Sequence, residues 1–320
     1  MNTYNEDDLH TAATAAILAP SLHNSQPWQL RLHHGTIEIL ADRTRQLTIA
    51  DTTGWATHIA CGAATLNARL ALTHTGTPPD VTLLPRDAGP DVIARLTPGH
   101  PRPATYPEQA LHTAIPHRHS NRKPFFPDPV PSEVRAQLIE AARTEMAWLD
   151  LLVGMTALSG FAEIAQSADR VLRRNPQYQA EMTTWTHADH APDGVPVTAG
   201  APTPEPQDLL PQRPFADQRR APGRDYEPEP LIAILGTTGN LPTDQITAGQ
   251  ALQRLLLTIT DAGLAASMIS QPIEVPAARE QLRRSLGRSG IPQMAIRIGY
   301  GQPGRPTPRR DLNDVLAQGI

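Results

Sequence analysis

Apolar residues recur at helical spacing in LHTAATAAILAP (Leu9 to Pro20), which predicts a helix over about Asp7 to Leu18 that Pro20 stops. WQLRLHH and TIEILAD then alternate apolar and polar positions, as two strands about a turn at His34-Gly35 would. A longer helix is predicted from roughly Thr53 to Thr75, closed by Gly76, and DVTLLP reads as another strand. After a proline-rich connection from Pro98 to Pro107, PEQALHTAI starts a short helix leading into PHRHSNRKPF. PSEVRAQLIEAARTEMAWLDLLV reads as helical throughout, with Ser132 as its cap behind Pro131. Further on, LIAILGT is a buried-strand run, TDQITAGQALQRLLLTITDAGLAAS one strong helix, and MAIRIGYG a last strand.

The two long helices echo one another. Gly62, Ala64, Leu70 and Gly76 recur at identical spacing as Gly249, Ala251, Leu257 and Gly263. A glycine inside a helix costs roughly 1 kcal/mol relative to alanine, and it commonly admits a second backbone. Both halves run helix, loop, strand or strands, long glycine-bearing helix, strand. The pattern predicts an α+β fold of two tandem copies packed as an intramolecular pseudo-dimer. Between Trp185 and Pro230 the pattern fails: the stretch is rich in proline and poor in apolar periodicity. It is too long for a simple connection and reads as either a linker or an ordered functional loop. The expected division is residues 1–107, then 108–184 with 231–320, and an insert at 185–230.

Composition narrows the classes. No apolar run is long enough to span a bilayer, and the acidic start MNTYNEDDLH lacks a secretory h-region. A lone cysteine, Cys61, rules out an internal disulfide and suits a cytoplasmic protein. The formal net charge of −4 argues against nucleic acid or membrane surfaces as partners.

Two stretches carry candidate chemistry. SLHNSQPW (Ser21 to Trp28) places five polar side chains between two prolines, more than a turn requires. RHSNR sets Arg118 and Arg122 around Ser120; guanidinium forks beside a hydroxyl suit phosphate, although for two arginines taken alone a solvated basic turn is the better explanation. PTPRR adds Arg309 or Arg310. Other chemistry lacks its motif. His187, Asp189 and His190 have no further metal ligand nearby, G-x-S-x-G and a P-loop are missing, and no Rossmann unit for a nicotinamide is supported.

Taken together, APSLHNSQPW, RHSNR, the run GQALQRLLLTITDAGLAASMISQPIE and the closing PTPRR resemble motifs of the FMN-dependent nitroreductase superfamily. Its ordinary members carry the arginine motif first and the polar loop some 30 residues later. Here the order is reversed, so each copy keeps half a site. This double-length arrangement, with DGVP in a proline-rich insert, is similar to the Acg-type subfamily.

The resemblance implies one FMN between the copies. Arg118, Ser120, Arg122 and Arg309 would hold its phosphate. Ser21, Asn24 and Gln26 would reach the ring's polar edge from the other copy, and the backbone around Met268, Ser270 and Gln271 would lie against the ring. No side-chain acid or base and no metal is implied. The expected activity is NAD(P)H-dependent reduction of a nitroaromatic, a quinone or a dedicated small molecule, by a monomer with internal pseudo-symmetry. If the insert covers the ring as a lid, the alternative is a protein that sequesters flavin.

Overall fold

The computed structural model describes residues 3–187, 191–200, 208–211, 213, 230–302 and 304–317. Helix α1 (Glu6–Ala16) opens with a capping box in which Asn5 and Asp8 satisfy each other's backbone N–H at 3.0 Å. Strands β1 (Trp28–His33) and β2 (Thr36–Ala41), helix α2 (Trp55–His74), β3 (Pro79–Leu83) and β4 (Val92–Pro98) complete the first unit. α3 (Tyr106–Ala114) leads to the second, which comprises α4 (Ser132–Thr144), β5 (Trp148–Leu152), α5 (Met155–Arg174), α6 (Pro176–Thr184) and the short β6 (Thr186–His187) and β7 (Val195–Pro196). Then come β8 (Leu231–Thr237), α7 (Pro242–Asp261), β9 (Ala265–Ile269), α8 (Gln271–Glu274), α9 (Pro276–Ser285), β10 (Ile291–Gly299) and α10 (Leu312–Val315).

Each unit builds one antiparallel four-stranded sheet. The orders are β1-β2-β4-β3 and β5-β8-β10-β9. Numbered within its own unit, each sheet runs first, second, fourth, third, and the long helix follows the second strand in both. Both long helices end alike. Gly76 and Gly263 have positive φ, and the next residues' amides reach back, Thr77 to Leu72 and Leu264 to Ile259.

α2 and α7 pack through their glycines. A Cβ on Gly62 would run into the carbonyl of Ile246, and one on Gly249 into that of Ile59. Each glycine thus meets the residue three positions before the other, the reciprocity of an isologous contact. α2 is buried on nearly every side, as a helix at the centre of two layers must be. No described helix is long and apolar enough to cross a membrane.

Several expected elements differ. The helix beginning at Ser132 ends at Thr144, because Met146 turns the chain at φ 58° and Trp148–Leu152 pairs with β8. Ser132 is the first helical residue, and Pro131 holds the cap position without a side-chain bond. The stretch ending GLAAS is not one helix: beyond Gly263 it becomes strand β9 on β10. β4, α5 and α9 answer to no expectation above.

Candidate active site cleft

The polar loop is held under backbone strain. His23, Asn24 and Gln26 lie at φ 52°, 56° and 51°, a left-handed region that costs a residue other than glycine roughly 1–2 kcal/mol. Such strain persists only where surrounding bonds impose it. The Oγ of Ser21 accepts the Gln26 N–H at 2.9 Å. Asn24 Nδ2 donates to the carbonyls of Gly194 (2.9 Å) and Pro308 (3.0 Å). Gln26 Nε2 donates to Pro192 at 3.0 Å, and its Oε1 accepts the Arg310 N–H at 2.9 Å. In place of the direct reach expected of Asn24 and Gln26, their amides clamp the DGVP turn and the C-terminal segment.

RHSNR runs along the free edge of β9. Ser120 bridges Ala266 in parallel, and the Asn121 N–H reaches the Ala266 carbonyl at 2.8 Å. That pairing sets Ser120 and Arg122 beside Ser267 and Met268. The result is a cleft between the two units, with an empty volume of about 980 Å³ counting the open space at its mouth. Ser21 and His23 come from the loop, Trp55 and Ile59 from α2, Leu252 from α7, and the floor is Met268 to Gln271.

Of the ten residues expected at the site, Ser21, Ser120, Arg122, Met268, Ser270 and Gln271 line this cleft. Asn24, Gln26, Arg118 and Arg309 do not. Arg118 and Arg309 instead lie side by side behind it, both donating to the Leu18 carbonyl, at 3.3 and 3.5 Å. Arg309 Nη1 also meets Thr307 Oγ1 at 2.6 Å and Asn24 Oδ1 at 3.0 Å. Neither guanidinium meets a carboxylate among the described residues, and the Nε of each is buried without a partner. Burial, and then the charge of Arg309, lowers Arg118 to about 9. Burial alone lowers Arg309 to about 10. Two desolvated cations with no acid among the described residues are chemically suited to an anion. His119 beside them is lowered to about 4, by burial first and then by Arg118 and Arg309.

Arg122 donates to the Ala199 carbonyl at 3.1 Å and is lowered to about 10 by burial and then by Arg213. The cations therefore fall into two pairs, Arg118 with Arg309 and Arg122 with Arg213. Arg213 and Arg297 line the cleft without having been expected there. Each is a lone arginine outside any motif, so spacing gave no signal for it. Arg297 donates to the Lys123 carbonyl at 2.7 Å and lies 4.1 Å from the centre of the Phe125 ring. Leu210 and Pro211 of the insert also line the cleft. Of the rejected metal trio, His187 lies 3.4 Å from Asp193, while Asp189 and His190 fall outside the described residues.

Comparison with known proteins agrees with these motifs. A family model described as "Nitroreductase family" matches residues 115–300. The chain is 30% identical over 327 residues to the Mycobacterium tuberculosis protein named "Putative NAD(P)H nitroreductase Rv3131", covering 99% of this chain and 93% of that protein. It is 26% identical over 319 residues to "Putative NAD(P)H nitroreductase acg" of the same organism, covering 97% and 95%. Among solved structures, the FMN-dependent nitroreductase NfnB from Mycobacterium smegmatis in complex with NADPH aligns over 66% of this chain and 99% of that one, at 19% identity and a TM-score of 0.42. With its family model spanning both sides of the insert and its relatives matching end to end, the chain belongs to the nitroreductase family.

Proposed function

We propose that the chain is an FMN-dependent oxidoreductase that binds one flavin in the cleft between its two units, which are fused copies of one ancestral fold. The carrying observation is the buried, acid-free pair Arg118 and Arg309, with an unpartnered Nε on each. A phosphate monoester supplies the missing charge and acceptors, and charge-assisted bonds of this kind are the strong ones. Ser120 and Arg122 extend the donor set into the cleft. Trp55, Ile59, Leu252 and Met268 offer an apolar slot for a planar ring, and the Ser270–Gln271 backbone borders it. Bound there, FMN supplies two-electron redox chemistry, with NAD(P)H as donor and a quinone, nitroaromatic or dedicated small molecule as acceptor. The residues of this chain bind, orient and exclude water; none is required as an acid or base.

Titration with FMN and with riboflavin tests this reading. FMN should bind far more tightly than riboflavin, and Arg118→Met should abolish most of the difference. Equal affinities for the two ligands would sink it.

A second reading is favoured by Leu210, Pro211 and Arg213, which bring the insert onto the cleft. Under it the wall keeps NAD(P)H out, and the protein sequesters flavin. Anaerobic mixing with NADPH separates the two: rapid bleaching of the flavin's visible band supports turnover, and a stable band supports sequestration.

A further inference from the structure

Glu274 closes α8, the single helical turn that begins at cleft residue Gln271. Its side chain is 1% exposed. Its two carboxylate oxygens go to different parts of the excursion between β5 and β8. Oε1 is ion-paired with Arg213, and Oε2 accepts the hydroxyl of Tyr178, on α6, at 3.0 Å. The Arg213 guanidinium lies 5.9 Å from the centre of the Tyr178 ring, and that ring meets His23 of the polar loop edge-on, with centroids 6.4 Å apart. Just before Arg213, Leu210 and Pro211 line the cleft, and the Leu209 carbonyl accepts Gln166 Nε2 of α5 at 3.0 Å.

A buried carboxylate stripped of both partners is strongly disfavoured. Glu274 therefore enforces docking of both segments at once, and it does so from the end of the cleft floor. Leu210 and Pro211, so docked, present an apolar wall to the same space as Trp55, Ile59, Leu252 and Met268. Flat, uncharged rings suit such a slot, whereas branched or polycyclic acceptors need the wall displaced.

We propose that Glu274 is a positioning residue that seats Leu210 and Pro211 as a wall of the cleft through Arg213 and Tyr178, and that this wall restricts acceptors to thin, planar molecules. The inference rests on the FMN reading above and adds its acceptor class. The test uses FMN-loaded wild type, Arg213→Met, Glu274→Gln, Tyr178→Phe and the conservative Arg213→Lys.

Flavin content is measured first, then quenching of bound-flavin fluorescence by iodide, then kcat/KM for a monocyclic and for a bulky polycyclic quinone. Arg213→Met and Glu274→Gln should keep their flavin yet be quenched several-fold more strongly. Their preference should shift toward the bulky quinone by roughly tenfold, the size of effect expected when one contact in a pocket is removed. Arg213→Lys should restore most of both values. Tyr178→Phe removes one hydroxyl, keeps the ring and should shift quenching the same way, so it carries the test if the charged variants do not fold. Flavin-loaded variants with wild-type quenching would overturn this inference alone. A wild type that takes up no FMN would overturn the reading beneath it.

Discussion

The two units share a sheet order and a long helix, yet differ at one connection. From α1 to β1 the chain takes the whole polar loop, with three residues left-handed, before reaching Trp28. From α4 to β5, the matching step, it takes only Glu145, Met146 and Ala147 before reaching Trp148. Where the first connection lines a cleft, the second fills its own space. The Glu145 carboxylate lies between Arg69 of α2 at 2.8 Å and Arg254 of α7 at 2.7 Å. Beside one connection Arg118 and Arg309 meet no carboxylate among the described residues, and the other supplies the acid itself. Where two units share a sheet order, the core constrains the helices and sheets, while a short loop decides which of two matching places stays open.

That comparison can be broken at its shared core first. Gly62→Ala should destabilise the protein by more than about 3 kcal/mol in urea unfolding, because the obstructing atoms are backbone and cannot rotate away. Gly249→Ala should match it if the contact is reciprocal. No cost at either glycine, or the gain of roughly 1 kcal/mol that helix propensity alone gives on replacing glycine with alanine, would refute the close crossing.

Next in size is the open side. Arg118→Met should weaken FMN binding by about 3 kcal/mol, or on the order of 100-fold, in a fluorescence titration. The same variant should raise the unfolding free energy of the flavin-free protein, because an uncompensated buried cation is removed. Loss of both affinity and stability would mean that Arg118 is merely structural.

On the closed side the sign reverses. Glu145→Gln removes the charge that Arg69 and Arg254 share and should cost about 2 kcal/mol of stability, the partial exposure of both arginines and the Arg69–Gln250 bond moderating the loss, while leaving FMN affinity unchanged.

The smallest effect is a pH dependence. His119 folds with its pKa lowered to about 4, against an ordinary value of about 6.5. Between those values the unfolded chain takes up a proton that the folded chain refuses. His119 therefore contributes stability that is full above about 6.5 and is lost as the pH falls toward 4. Flavin-free His119→Asn should show a shallower fall in Tm from pH 7 to pH 4 than wild type, and an unchanged slope would remove His119 from the account.

Much of this was legible in the residues. The glycine echo pointed to a close crossing because a mid-helix glycine needs a reason, and backbone contact is the commonest one. SLHNSQPW was visible as polar density where turn chemistry asks for less, and RHSNR gained meaning only beside it. What escaped was tertiary. AWLDLLV follows a strong helix without a break, and Met146, which turns the chain there, is no turn former, so only the partner β8 makes the segment a strand. α5 buries Leu158, Phe161, Ala162 and Ala165 at helical spacing, a pattern present in the sequence but overshadowed by the adjoining proline-rich stretch. Arg213 acquires its meaning from Glu274, 61 positions away.

The central claim is a single cofactor place between two unequal halves. Isothermal titration of flavin-free protein with FMN tests it most directly: one FMN bound per chain is predicted, and two, or none, would contradict the account.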